Sequence, residues 1–137
     1  MRTGREIEEK LASRGFSDTV VDTVTERLKS VGLIDDSEYA GAFIRTSLKL
    51  RPRSYRLLRT ELIKKGVSPG IAEGAVSESS HSFPETSIAR EVLKKAFLRY
   101  GKLPDRERRR KLFAFLGRRG FSLQTISELV GEGEQGV

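Results

Sequence analysis

One ten-residue pattern occurs three times along this chain and constrains its fold more than any other feature. It reads EKLASRGFSD, then TELIKKGVSP, then AFLGRRGFSL. When the copies are aligned on Gly15, Gly66 and Gly120, each has a leucine four residues before the glycine and a basic residue directly before it. An apolar residue and then a serine follow the glycine, and the glycines are 51 and 54 residues apart. Three matches at nearly equal spacing indicate an internal structural repeat.

Each position of this pattern has a backbone reason. A glycine just past a helix can adopt the left-handed conformation that closes the C-terminus. The leucine then falls in the last turn, where it meets the apolar residue after the glycine. The serine is placed to cap the next helix by accepting a hydrogen bond from a free amide. The pattern therefore predicts a helix, a sharp corner and a second helix at three places.

The rest of the chain favours one further helix in each complete unit. Apolar residues recur at helical spacing between the corners, and no convincing strand alternation is found. The predicted helices lie near 3–13, 17–31, 36–50, 53–65, 68–79, 85–100, 105–118 and 122–131. We expect an all-α fold of tandem three-helix repeats in an elongated, curved array. Its predicted parts are a first repeat reduced to its last two helices (1–32), a second repeat (33–82), a third repeat (83–131) and a flexible tail (132–137), with 77–83 as a flexible link.

Composition narrows the class of protein. The absence of cysteine excludes disulfide bonds and thiolate metal sites. The sequence has no apolar run near the ~20 residues of a membrane span, and its start lacks a signal-peptide apolar region. A monomeric protein of the cytoplasm, with no membrane contact, is the expectation.

Residues that could perform chemistry are few. His81 is the only histidine, and catalytic triads and metal sites need several converging side chains, so we expect no such site built on it. Asp35, Asp36 and Glu38 could suggest metal or acid–base chemistry, but carboxylates at a helix start are more simply caps. The sequence has no glycine-rich phosphate loop. We expect no enzymatic activity, no metal and no cofactor.

Positive charge is concentrated in two segments. The net charge is +7, yet residues 45–66 hold eight basic and one acidic side chains, and residues 83–120 hold twelve and four. Helical spacing places basic side chains on one face of each predicted helix, 53–65 and 105–118, with the aromatic ring of Phe115 among them. Such faces attract a polyanion or an acidic protein surface. The candidate partner-binding residues are Arg53, Arg56, Arg59, Lys64, Lys65, Arg108, Arg110, Lys111, Phe115, Arg118 and Arg119.

Several of these stretches resemble a known family. The segment GLIDDSEYAGAFIRTSLK, followed by RLLRTELIKKGVSPGIAEGAV, is similar to the middle repeat of the RecX family of bacterial regulators of recombination. Its marks are Ile34-Asp35-Asp36, then Tyr39-Ala40, then Glu61-Leu62 with Lys65-Gly66-Val67. KLFAFLGRRGFSLQTISELV resembles the third repeat and REIEEKLASRGFSDTVVDTVTERLKSVG the first. The opening helix of the first repeat is missing from the match.

The resemblance implies a partner, the RecA recombinase filament on DNA, in whose helical groove RecX proteins lie. It implies a non-enzymatic modulator, mostly an inhibitor of RecA ATP hydrolysis, strand exchange and support of LexA cleavage, in DNA repair and the SOS response. The basic faces would then contact acidic RecA surface, DNA, or both. The alternative is an independent DNA-binding helical module that acts as a transcriptional or architectural factor.

Overall fold

Eight helices make up the fold of this computed structural model, which describes the backbone of residues 2–135 and the side chains of residues 2–131. They are α1 (Gly4–Ser13), α2 (Asp18–Ser30), α3 (Asp36–Leu50), α4 (Tyr55–Lys64), α5 (Pro69–Ser82), α6 (Glu85–Tyr100), α7 (Asp105–Arg118) and α8 (Leu123–Gln135). No strand occurs within residues 2–135. The predicted all-α class is confirmed, and each predicted helix is present.

The three predicted corners are also confirmed. Gly15, Gly66 and Gly120 have φ angles of +89°, +104° and +89°. At the first corner the amide of Phe16 donates to the carbonyl of Leu11 at 3.3 Å, which is the long hydrogen bond of a Schellman stop. The amides after Gly66 and Gly120 make the equivalent bonds at 3.0 and 3.3 Å. A left-handed glycine and the same long hydrogen bond therefore end α1, α4 and α7.

The serines after the corners cap the helices that follow. The side-chain oxygens of Ser17, Ser68 and Ser122 accept hydrogen bonds from the amides three residues ahead, at 3.3, 3.4 and 3.2 Å. The acidic start of α3 behaves similarly, because Asp35 Oδ1 accepts from the amide of Glu38 at 3.0 Å. Asp36 has a different role, since its Oδ1 accepts from the amide of Gly4 at 3.0 Å. Asp35 is therefore a helix cap, as predicted, whereas Asp36 joins the start of α3 to the start of α1.

The segment predicted as a flexible link, residues 77–83, is helical up to Ser82, so that prediction is wrong. Tyr55 fastens it. The hydroxyl of Tyr55 donates to the carbonyl of Phe83 at 2.6 Å and lies 3.1 Å from the hydroxyl of Ser79. His81 adds a contact between Nδ1 and the carbonyl of Ser77 at 2.7 Å. α8 likewise continues to Gln135, four residues beyond the predicted end. Of the predicted flexible tail, residues 136 and 137 lie outside the described residues.

The second and third repeats share one apolar core, which α3 to α8 build. Leu62 and Leu116, the leucines of the second and third corners, are fully buried in it. The first repeat differs, because Phe16 is 49% exposed whereas its counterparts Val67 and Phe121 are 2% and 6% exposed. The described part of the first repeat holds α1 and α2 and no helix that corresponds to α3 or α6, which explains the difference. The precise boundaries between repeats stay a prediction.

Candidate partner-binding surface

Successive repeats meet at two junctions, and at each junction the first repeat of the pair contacts the glycine corner of the next. At the first junction, Thr3 Oγ1 donates to the carbonyl of Lys65 at 2.9 Å, and Arg5 Nη2 donates to the carbonyl of Lys64 at 2.7 Å. The N-terminal turn of α1 therefore rests on the second corner. Thr3 is fully buried there, and its hydroxyl also caps α1 by accepting from the amide of Glu6.

The second junction repeats this arrangement one unit later. The amide of Ser54 donates to the carbonyl of Arg119 at 2.9 Å, and Arg56 Nη2 donates to the carbonyl of Gly120 at 3.1 Å. The N-terminal turn of α4 thus rests on the third corner. Arg119 returns a bond, because its Nη1 donates to the carbonyl of Pro52 at 2.8 Å. The backbones of the second and third corners are therefore held by the repeats that precede them.

The basic residues directly before Gly66 and Gly120 each place their side chain beside an aromatic ring. The Lys65 ammonium lies 5.6 Å from the ring centre of Phe43, and the Arg119 guanidinium lies 4.9 Å from that of Phe115. Arg53 and Arg118 flank the same two rings at 5.9 and 5.8 Å. Cation–π attraction holds these charges in place without neutralising them.

Tyr100 extends the aromatic set, since its ring meets that of Phe115 edge-on with centroids 6.3 Å apart. The guanidinium of Arg99 lies 5.4 Å from the ring centre of Tyr100. Charged and aromatic side chains therefore lie side by side from Arg99 through Tyr100 and Phe115 to Arg119. Such a surface suits a partner that offers negative charge and flat groups together.

Four arginines, which we call the basic seam, converge where the second repeat meets the third: Arg51, Arg53, Arg118 and Arg119. Burial lowers the pKa of Arg119 from its ordinary value, and the positive charges of Arg51, Arg53 and Arg118 lower it further. The charges of Arg51 and Arg53 act on Arg119 because its guanidinium bonds to Pro52, which lies between them in the chain. Arg118 acts on it because both guanidinium groups lie beside the ring of Phe115. The seam is thus a site of like-charge repulsion that a bound anion would relieve.

Several of the predicted contact residues form hydrogen bonds and ion pairs within the fold. Arg53 precedes α4, so the prediction that it begins a basic helix face is wrong. Its Nε lies 3.1 Å from both carboxylate oxygens of Glu61, and its Nη2 donates to Ser47. Its side chain is only 12% exposed. The interior of the second repeat therefore holds Arg53 in place while its charge contributes to the seam.

The other predicted cations are either paired within the fold or exposed to solvent. Arg59 pairs with Glu73 at 2.6 Å, across α4 and α5. The side chain of Arg108 is 18% exposed and bonds to Asp105 and to the carbonyl of Leu103. The remaining exposed cations among the predicted residues are Arg56, Lys64, Lys65, Arg110, Lys111 and Arg118. Arg59 and Arg108 therefore make contacts within the fold.

Sequence reasoning missed four members of this surface: Phe43, Arg51, Arg99 and Tyr100. Phe43 and Tyr100 are partly buried and also pack against the core. For Arg51, the only sequence feature that could have indicated its place on this surface is its position directly before Pro52.

Two negative findings limit the chemistry of the described residues. They contain no group of three or more His, Asp or Glu side chains placed to hold a metal ion. No helix among them combines the length and apolar character needed to cross a membrane.

Family models match the two complete repeats. Residues 35–76 match the model described as RecX, second three-helix domain, and residues 85–130 match RecX, third three-helix domain. Among whole proteins, the regulatory protein RecX of Prosthecochloris aestuarii is 38% identical over 128 residues, which cover 93% of this chain and 82% of that protein. The regulatory protein RecX of Mycobacterium leprae is 33% identical over 137 residues, covering 94% and 75%.

Solved structures agree with the fold. A crystal structure of regulatory protein RecX superposes with a TM-score of 0.78 at 27% identity over 93% of this chain, which spans 62% of that structure's chain. The crystal structure of RecX from Lactobacillus salivarius superposes with a TM-score of 0.82 at 26% identity, covering 96% of this chain and 85% of that one. Tandem three-helix repeats are thus shared with experimental structures.

Proposed function

Because the chain belongs to the RecX family of regulatory proteins, we propose that it is a non-enzymatic modulator of RecA that binds the RecA–DNA filament in its groove. The observation that carries this proposal is the basic seam, set in a chain of this family. A filament offers repeated negative charge along its length, and an array of repeats offers positive charge at intervals.

The proposed mechanism is a shift between filament states. A ligand that contacts neighbouring RecA protomers changes the filament only through its different affinity for the two states. A protein whose basic residues are spread over two repeats can contact two protomers, or one protomer and DNA. We propose that it favours the state with lower ATPase, recombination and coprotease activity, within the cytoplasm and as a monomer.

The test is RecA ATP hydrolysis on single-stranded DNA, with purified protein added at a low molar ratio to RecA. Inhibition, with filaments that shorten in electron micrographs, is the expected result. An unchanged ATPase rate and filament length at saturating protein would end the proposal.

A second candidate is an independent DNA-binding module that acts as a transcriptional or architectural factor, and the basic seam favours it as well. It requires tight binding to naked duplex DNA with a salt slope of about −0.9 per phosphate contact. Weak duplex binding beside strong filament binding would decide against it.

A further inference from the structure

The basic seam combines side chains from two repeats at one place. Arg51 and Arg53 come from the segment between α3 and α4, whereas Arg118 and Arg119 end α7. Arg119 fixes their relation, since its side chain donates to the carbonyl of Pro52 and its carbonyl accepts from the amide of Ser54. Anything bound to this set therefore contacts both sides of the second junction.

The charge of the seam is largely uncompensated. Among the described residues, the carboxylate paired with it is Glu61, which binds Arg53. Arg51 and Arg118 are exposed, and Arg118 lies over the ring of Phe115 rather than against an acid. Guanidinium groups held beside rings keep their hydrogen-bond donors available, and their planar fork matches a phosphate oxyanion.

We propose that the basic seam is a phosphate clamp, in which Arg51 and Arg118 bind adjacent phosphodiester groups of a nucleic-acid strand across the second junction. Arg53 and Arg119 position the clamp through their internal bonds and add to its field. A nucleic-acid strand suits this site because every backbone unit carries a charge, whereas carboxylates on protein surfaces are usually interspersed with cations. This inference rests on the proposed function, because it names the ligand of the surface through which that function works.

Binding to the clamp also has a structural consequence. A ligand that bridges two repeats binds the folded junction and not the separated repeats, so it stabilises the array by mass action. Oligonucleotide should therefore raise the unfolding temperature of the protein as its concentration increases. Inorganic phosphate, which offers a single group, should raise it far less at equal phosphate concentration.

The experiment uses the full chain and a fluorescent oligothymidylate that forms no duplex. The test variant is R51Q/R118Q, which removes two exposed charges. The control K10Q/K95Q removes two exposed charges outside the seam. We expect the test variant to bind at least about tenfold more weakly, as for the loss of charge-assisted hydrogen bonds. Its salt slope should become shallower by about 1.4, since each single-strand phosphate contact contributes about 0.7. The control should keep most of the affinity.

A second variant, R51K/R118K, keeps the charges and removes the planar forks. It should preserve the salt slope while the affinity falls, because lysine contacts phosphate as a point charge. Circular dichroism of each variant establishes that it is folded.

Three outcomes would overturn the clamp. Equal loss of oligonucleotide affinity in R51Q/R118Q and K10Q/K95Q would show that the seam arginines contribute no more than other exposed positive charges. Unchanged oligonucleotide affinity in R51Q/R118Q, together with lost inhibition of the RecA ATPase, would assign the seam to an acidic protein surface and leave the proposed function standing. Poly-glutamate that binds as tightly as oligothymidylate, with the same dependence on the two arginines, would also move the assignment to protein. Wild-type protein that binds oligothymidylate but never alters the RecA ATPase would instead refute the proposed function alone.

Discussion

Substituting alanine at the three corner glycines separates local backbone strain from packing between repeats. All three glycines have left-handed φ angles, so a side chain at any of them meets the same backbone penalty, about 1–2 kcal/mol. The restriction that alanine places on the unfolded chain returns about 0.4–1 kcal/mol. From backbone terms alone, each substitution should cost about 1 kcal/mol of unfolding free energy.

The surroundings of the glycines differ. A Cβ at Gly15 would meet no atom within 4 Å. At Gly66 it would lie 2.6 Å from the Cβ of Arg5, and at Gly120 it would lie 2.5 Å from the Cγ of Leu57 and closer still to the hydroxyl of Ser54. Such crowding adds about 1–3 kcal/mol, as overpacking does elsewhere. We therefore expect G66A and G120A to cost about 2–4 kcal/mol and G15A about 1 kcal/mol.

Urea unfolding followed by circular dichroism measures the free energies and, through the slope, the cooperativity. Repeat arrays can unfold in stages, so hydrogen exchange of the amides of Phe16, Val67 and Phe121 should accompany it, because these amides close the three corners. A double-mutant cycle of G120A with L57A should show favourable coupling, since L57A removes the clashing Cγ. A cost for G15A as large as that for G66A and G120A would refute the account of the junctions.

Three other predictions test single elements of the structure. L62A should lower the free energy of unfolding by about 2–5 kcal/mol, because Leu62 is fully buried; a loss well under 1 kcal/mol in urea unfolding would contradict this. R53Q should destabilise the second repeat by about 1–3 kcal/mol, because it removes charged hydrogen bonds to Glu61, and unaltered unfolding would show that Arg53 is an ordinary surface cation. Burial raises the pKa of Tyr39 above its ordinary value of 10.0, and the negative charges of Glu6 and Asp36 raise it further. A raised pKa in the folded state means that folding favours the neutral tyrosine. This contribution to stability is therefore present below pH 10.0 and is lost as the pH rises through the folded-state pKa. Tyrosinate absorbance should show a late-titrating group that Y39F removes, and the same titration curve in Y39F would be the contrary result.

Much of the fold could be predicted because its corners are local. The glycine conformation at Gly66, the bond from Val67 to Leu62 and the cap at Ser68 all lie within residues 62–71. Such features depend on the sequence around them and hardly on the rest of the molecule. The repetition of the pattern then predicted tandem units.

The candidate surface could be predicted only in part. Charge segregation indicated the two segments that carry most of the positive charge, but it could not separate an arginine that is available to a partner from one that binds its own fold. Arg53 and Arg108 read as exposed on a helical wheel, yet Glu61 and Asp105 engage them.

The sequence by itself therefore determined the helices, their stops and the existence of a repeat, because these follow from hydrogen bonds and steric limits within a few residues. Only the tertiary structure decided how the repeats join and which cations remain available. The bond from Thr3 to Lys65 spans 62 positions and that from Arg119 to Pro52 spans 67. Contacts at such separations depend on how whole helices pack, and no short stretch of sequence contains that information.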